Sequence, residues 1–222
     1  MQKYVQSLGL LPTFYTFNDV LSTEDWALDM VLPPVLALLF LFPIKPSVET
    51  FRREEDARIK VEGQVVSAQL FFTKQTVGNA CGTVGLLHAL LNNKDTLDFA
   101  PGSFLETFEK NTRGKTAEER AVMLEEDEGL DTAHESAAAE GQSNQVPEEE
   151  EVNTHFITFV EKEGSLYELD GRKSFPINHG PSSPDTLLRD AAAVVRQVIA
   201  RDPEELRFTV VVLSGAAGEE DG

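Results

Sequence analysis

Cysteine is nearly absent from this chain: Cys81 is the only one in 222 residues. An internal disulfide is therefore excluded, and a lone thiol suits a reducing compartment in which it stays free. Basic residues are scarce as well, 19 against 38 acidic, for a net charge of −19. Nucleic acid and anionic membranes both demand a positive face, so neither is expected as a partner. Such a charge would instead steer a basic one. Long apolar runs are also missing. The longest, residues 35–42, falls far short of the roughly 18 that a spanning helix needs. The first six residues carry no charged leader ahead of an apolar stretch, so they do not read as a signal peptide. The expectation is a soluble cytoplasmic monomer, with the nucleus also open to it, and without a metal or other cofactor.

What is present centres on residues 75–83, Gln-Thr-Val-Gly-Asn-Ala-Cys-Gly-Thr. Val84, Leu87, His88 and Leu91 recur behind them at helical spacing, which predicts a helix starting near Cys81. A thiol at a helix N-terminus meets unpaired N–H groups and the positive end of the dipole, and both favour the thiolate. Gly78 and Gly82 would let another chain come close to it. Free cysteine is also among the most buried residue types, so a structural thiol is the competing reading.

The chain is long enough for one domain with an ample core. Residues 4–10 read as the end of a helix stopped by Gly9, 14–20 as a loop carrying Asp19, and 35–42 as a buried central strand. A polar helix capped by Ser47 follows, its charges of mixed sign forming a solvated face. Further helices are expected from Ser103, from Thr116 and from Ser183-Pro184, and a last strand over 208–213. Residues 131–153 hold seven acidic and no basic side chains and no aromatic one, which predicts a surface loop or lid.

Four histidines could serve the thiol as a base. His88, seven residues along the same helix, is displaced by about 10 Å and reads as a core-boundary residue. His134 sits beside the acidic loop, and His179 lies in an irregular stretch. His155 opens a strand that returns through residues 165–170 as a hairpin. A loop over 161–164 pairs Val160 with Ser165, so that 155 faces 170 and His155 becomes a direct cross-strand neighbour of Asp170. Such a contact would orient the imidazole and stabilise its charged form. The side-chain amide of Gln75, with the Cys81 N–H, could bind an oxyanion.

The segment from Gln75 to Ala89 resembles the active-site segment of the ubiquitin C-terminal hydrolases, cysteine peptidases of papain-like fold. Residues 155–157 and 166–173 resemble that family's histidine and aspartate motifs, and 175–180 and 201–208 extend the likeness, which is closest to the small single-domain members. The resemblance implies an α/β (α+β) fold: a central antiparallel sheet flanked by helices, with a knotted backbone. Its crossover loop would be residues 131–153, and the domain would span 1–214, followed by an acidic tail at 215–222. It implies Cys81 as nucleophile, His155 as base and acid, Asp170 as its orienter and Gln75 as oxyanion donor, with Asp19 and Asn79 near the substrate. The implied activity is that of a deubiquitinating thiol hydrolase, an omega peptidase. It would remove small adducts from the C-terminal glycine of ubiquitin, or of a ubiquitin-like protein such as NEDD8. Family members usually begin with a further strand-forming stretch that this chain starts too late to contain. That departure motivates a second reading, a ubiquitin-binding module with a misaligned, slow triad. A third is a Cys-His-Asp acyltransferase.

Overall fold

The computed structural model describes residues 1–76, 80–127 and 154–216. The expected crossover loop, Asn79, Gly78, His134 and the tail beyond 216 lie outside them. Six strands form one antiparallel sheet: β1 (Tyr15–Val20), β2 (Val35–Pro43), β3 (Thr154–Lys162), β4 (Ser165–Leu169), β5 (Ile177–Pro181) and β6 (Thr209–Gly215), in the order β1-β6-β2-β3-β4-β5. The apolar run expected as a central strand is β2, and Ala37, Leu38, Leu39 and Phe40 are wholly buried. A strand buried on both faces has no use for polar alternation, which is why its sequence shows none.

Helices cover both faces. On one side, α1 (Gln2–Ser7), α4 (Cys81–Leu91), α5 (Phe104–Asn111) and α6 (Ala117–Glu125) enclose a core with Val84, Leu87, Leu105 and Leu169. On the other, α2 (Asp25–Leu28), α3 (Pro46–Glu62) and α7 (Leu187–Ile199) lie over a second core built on Phe40, Phe159, Leu187 and Val195. Local chemistry sets the helix starts. Ser103 accepts from Glu106 N–H at 3.4 Å, and Thr116 with Glu119 forms a complete capping box.

Several expectations need correcting. Residues 15–20 form an edge strand, because β6 supplies backbone partners that their own mixed sequence does not advertise. Helix α3 starts at Pro46 after Lys45, with no side-chain cap, so Ser47 lies inside it. The Ser183-Pro184 pair makes a turn, and α7 begins at Leu187. Gly215 belongs to β6 rather than to a tail. The stretch around His179 is strand β5, paired with β4.

The hairpin register also differs. Glu163 (φ 49°) and Gly164 (φ 80°) both adopt left-handed backbone and form a two-residue turn, which pairs Lys162 with Ser165 and Thr158 with Leu169. Position 170 therefore does not face position 155. The shift is two residues, and side chains alternate with period two, so His155 and Asp170 stay on one face.

Candidate active site

Cys81 is the first residue of α4, and Ala80 O accepts the helix's first hydrogen bond from Val84 N–H at 2.9 Å. Small residues let this end of the helix lie close on β3. A Cβ on Gly85 would stand 3.3 Å from Thr158 Oγ1, and one on Gly82 would stand 3.8 Å from the Phe156 ring. The close approach of β3 thus depends on Gly85, while the space at Gly82 would hold a Cβ in ordinary contact. Thr158 Oγ1 donates to Gly85 O at 2.8 Å and fixes the approach.

This packing brings the thiol to His155, at the start of β3. The thiol and the imidazole lie within interaction range of each other. His155 Nε2 lies 2.7 Å from Asp170 Oδ1, which leaves Nδ1 for Cys81. Both members of the imidazole–carboxylate pair are buried, at 2 % and 1 % exposure, while Cys81 is half-buried and open to a reactant. Asp170 also accepts from the Arg172 N–H at 2.9 Å and from Arg52 Nη2.

The charges follow from these contacts. Burial alone would raise the Cys81 thiol; the His155 hydrogen bond, backbone contacts at Phe156 and Gly82, and the imidazolium charge outweigh it and bring the thiol down. Burial likewise pulls His155 down, and its bonds to Asp170 and Cys81 lift it above its ordinary value. Burial pushes Asp170 up, yet the His155 bond and the nearby charges of His155 and Arg52 hold it below the usual carboxylate range. All three shifts favour a thiolate–imidazolium pair.

Gln75 lies near the end of the segment 70–76, which His88 of α4 and the C-cap residue Asn92 hold with their side chains. Asn92 accepts from Phe71 N–H at 2.8 Å and donates to Phe71 O at 2.9 Å, and His88 Nε2 accepts from Thr73 N–H at 3.1 Å. Gln75 N–H then donates to Gly171 O at 2.8 Å, beside Asp170. His88 is fully buried rather than at the core boundary, and burial takes its imidazole down to about 4. Asp19 is elsewhere. It sits on β1, with β6 and β2 between it and β3, about 14 Å across the sheet. There it lines a cavity of about 240 Å³ with Asn18, Met30 and Leu32.

Two groups of charged residues had gone unnoticed. Arg52, on the helix face expected to be solvated, is 10 % exposed and bound to Asp170. Beside it Glu168 joins His179 Nε2 at 2.9 Å and Lys173 Nζ at 3.0 Å, and Lys173 meets Glu55 at 2.5 Å. The signal was in the spacing. Val48, Arg52, Glu55 and Ile59 recur every three to four residues, so the two charged residues share the stripe of the two apolar ones.

A helix-borne thiol beside an imidazole on a neighbouring strand, itself tied to a buried carboxylate, is the arrangement of a papain-like cysteine hydrolase. Comparison with known proteins narrows this further. The family model for ubiquitin carboxyl-terminal hydrolase, family 1, matches residues 1–200, and the chain belongs to that family. It is 46 % identical over 214 residues to ubiquitin carboxyl-terminal hydrolase 3 of Arabidopsis thaliana, covering 96 % of this chain and 89 % of that one. To the human isozyme L1 it is 45 % identical over 217 residues, covering 98 % and 95 %. Among solved structures, the Trichinella spiralis UCH37 catalytic domain bound to ubiquitin vinyl methyl ester shares the fold, with a TM-score of 0.72 at 22 % identity over 96 % of this chain and 90 % of that one.

Proposed function

We propose that this chain is a deubiquitinating thiol hydrolase that frees the C-terminal glycine of ubiquitin from small adducts. The observation that carries this is the Cys81 thiol beside His155, whose Nε2 lies 2.7 Å from Asp170 Oδ1. His155 takes the thiol proton, and the thiolate attacks the glycine carbonyl. The oxyanion is met by the Gln75 amide and the N–H groups at the start of α4. His155 then protonates the leaving group as the carbon–leaving-group bond breaks, and water, deprotonated by His155, hydrolyses the thioester.

The net charge of −19 suits the basic C-terminal tail of ubiquitin. Leu21, Met30 and Leu32 are exposed around the cavity that Asp19 lines and offer an apolar surface to the body of the same partner. NEDD8 stands as a ubiquitin-like alternative substrate, and a cytoplasmic monomer is the working form that the lone cysteine and the strong like charge favour. The place of the thiol beside an imidazole already tied to Asp170 argues for turnover over a binding module with a misaligned triad.

Cys81→Ala should abolish release of a fluorophore from the ubiquitin C-terminus and leave ubiquitin binding intact. Turnover that survives this change would overturn the reading. Parallel assays with ubiquitin and NEDD8 substrates decide between the two, and acylation of Cys81 by a small donor without ubiquitin would point to an acyltransferase.

A further inference from the structure

Helix α3 lends the site a group for which the proposed reaction has no direct use. The two oxygens of Asp170 have separate tasks. Oδ1 accepts from His155 Nε2 and from the Arg172 N–H, whereas Oδ2 accepts from Arg52 Nη2. A carboxylate turns freely about its last torsion unless both oxygens are engaged. Whatever holds Oδ2 therefore sets the direction in which Oδ1 meets the imidazole. Arg52 is itself held: its guanidinium stands 5.9 Å from the centre of the Phe42 ring, and that ring meets His155 edge-on at 5.9 Å.

We propose that Arg52 is a positioning residue for the thiol–imidazole pair: by gripping Asp170 Oδ2 from α3 it fixes the carboxylate that points His155 at Cys81. The proposal rests on Cys81 and His155 being the reacting pair. No neighbouring cation replaces Arg52 among the described residues. Lys173 is shared between Glu55 and Glu168, and Glu168 also holds His179. Arg201 is stacked on Phe51 at 3.4 Å. Arg52 Nη1 also lies 3.7 Å from Glu49. Without the guanidinium, Oδ2 would be a buried acceptor facing no donor, and the carboxylate would turn or take up a proton.

A cavity of about 280 Å³ between α3 and α7 is lined by both Arg52 and Asp170. It gives a small cation a route to Oδ2, which makes the proposal testable by chemical rescue. Alkylation of Cys81 by iodoacetamide, followed against pH, reports the thiolate without any need for ubiquitin. Charge and position predict opposite signs here. The Arg52 charge disfavours the imidazolium, so loss of the charge alone would move thiolate formation to lower pH. Loss of positioning removes the support that Asp170 gives the imidazolium, and moves it to higher pH.

Arg52→Met should show the upward displacement and lose about 10- to 100-fold in kcat, the scale set by removing a group that orients a ligand, with KM little changed. Millimolar guanidinium ion should bring the alkylation profile back. An unchanged or downward-moved profile overturns the proposal, as does a displacement that guanidinium leaves in place. Should Arg52→Met fail to fold, Arg52→Lys decides: the ammonium cannot reproduce the fork of donors, and a wild-type profile in that variant also overturns it. An ordinary thiol profile in the wild-type protein would instead defeat the assignment of Cys81 itself.

Discussion

His155 and Asp170 are diagonal neighbours on the β3–β4 hairpin, and their side chains close the gap to 2.7 Å. Extending the register places 155 opposite 172 and 170 opposite 157. Diagonal positions on one face stand about 7–8 Å apart, a span that imidazole and carboxylate cover together. Asp170→Asn keeps the carboxylate's shape and discards its charge. It should lower kcat by at least about 100-fold, since the equivalent change in a serine triad costs far more. It also removes the buried charge that Arg52 pairs with and leaves it the looser contact to Glu49, which should destabilise the fold by about 1–3 kcal/mol. Steady-state kinetics and urea unfolding at neutral pH, carried out on the same preparation, measure both effects.

How much of this could be read from residues alone depended on where the information is local. Helix α4 was legible because an apolar stripe, a lone thiol and flanking glycines all lie within one short segment. The hairpin was legible as a hairpin, but its register was not, because Glu163 carries no mark of left-handed backbone and an Asn at that position would have. The His155–Asp170 pairing survived because an error of two residues preserves the face. Strands β1 and β5 were hidden for another reason: both are edge strands, β1 formed on a partner distant in sequence and β5 paired with β4 through a register shift. Arg52 was hidden because a buried arginine looks like a solvated one until its carboxylate, 118 positions away, is folded against it.

His88 makes the fold sensitive to mild acid. Its imidazole is buried, and that burial holds it down at about 4, against 6.5 in a free chain. Between those values the unfolded chain takes up a proton that the folded one refuses. Stability from this group is complete above about pH 6.5 and falls as the pH drops towards 4, by about 1.4 kcal/mol per unit. His88→Gln should be less stable at pH 7, through loss of the bond from Thr73 N–H. It should lose less than the wild type between pH 7 and pH 5, by about 2 kcal/mol. Urea unfolding of both proteins at the two pH values tests this; equal losses would mean that His88 is protonated in the fold.

Asp19 is separated from the reacting groups by two strands, so it can affect substrate capture without affecting the bond-making steps. Asp19→Asn should raise KM for a ubiquitin substrate by about 3- to 10-fold and leave kcat unchanged, as expected when an interaction common to bound substrate and transition state is removed. The effect should shrink at high salt, where exposed charges are screened. A fall in kcat would place Asp19 closer to the chemistry than its strand allows.

Gly171 separates two functions that most changes near this site would disturb together. A Cβ there would stand 2.9 Å from Gln75 Cβ, 2.9 Å from Val84 Cγ1 and 3.0 Å from Gln75 N. The two at 2.9 Å are closer than real Cβ atoms come, the third is tight, and two of the three belong to Gln75, the proposed oxyanion donor. Val84 is buried in the core beneath α4, while the Gln75 segment is held at its other end by Asn92 and His88. The strain in Gly171→Ala should therefore displace Gln75 and break its bond to Gly171 O. Loss of one oxyanion donor costs on the order of 100-fold in kcat. Cys81, His155 and Asp170 contact each other through side chains that this change does not touch, so iodoacetamide should alkylate the thiol at the wild-type rate. A variant slow in both assays would mean that the Asp170–Gly171 turn had shifted as a whole, and Gln75 would then have no separate role to measure.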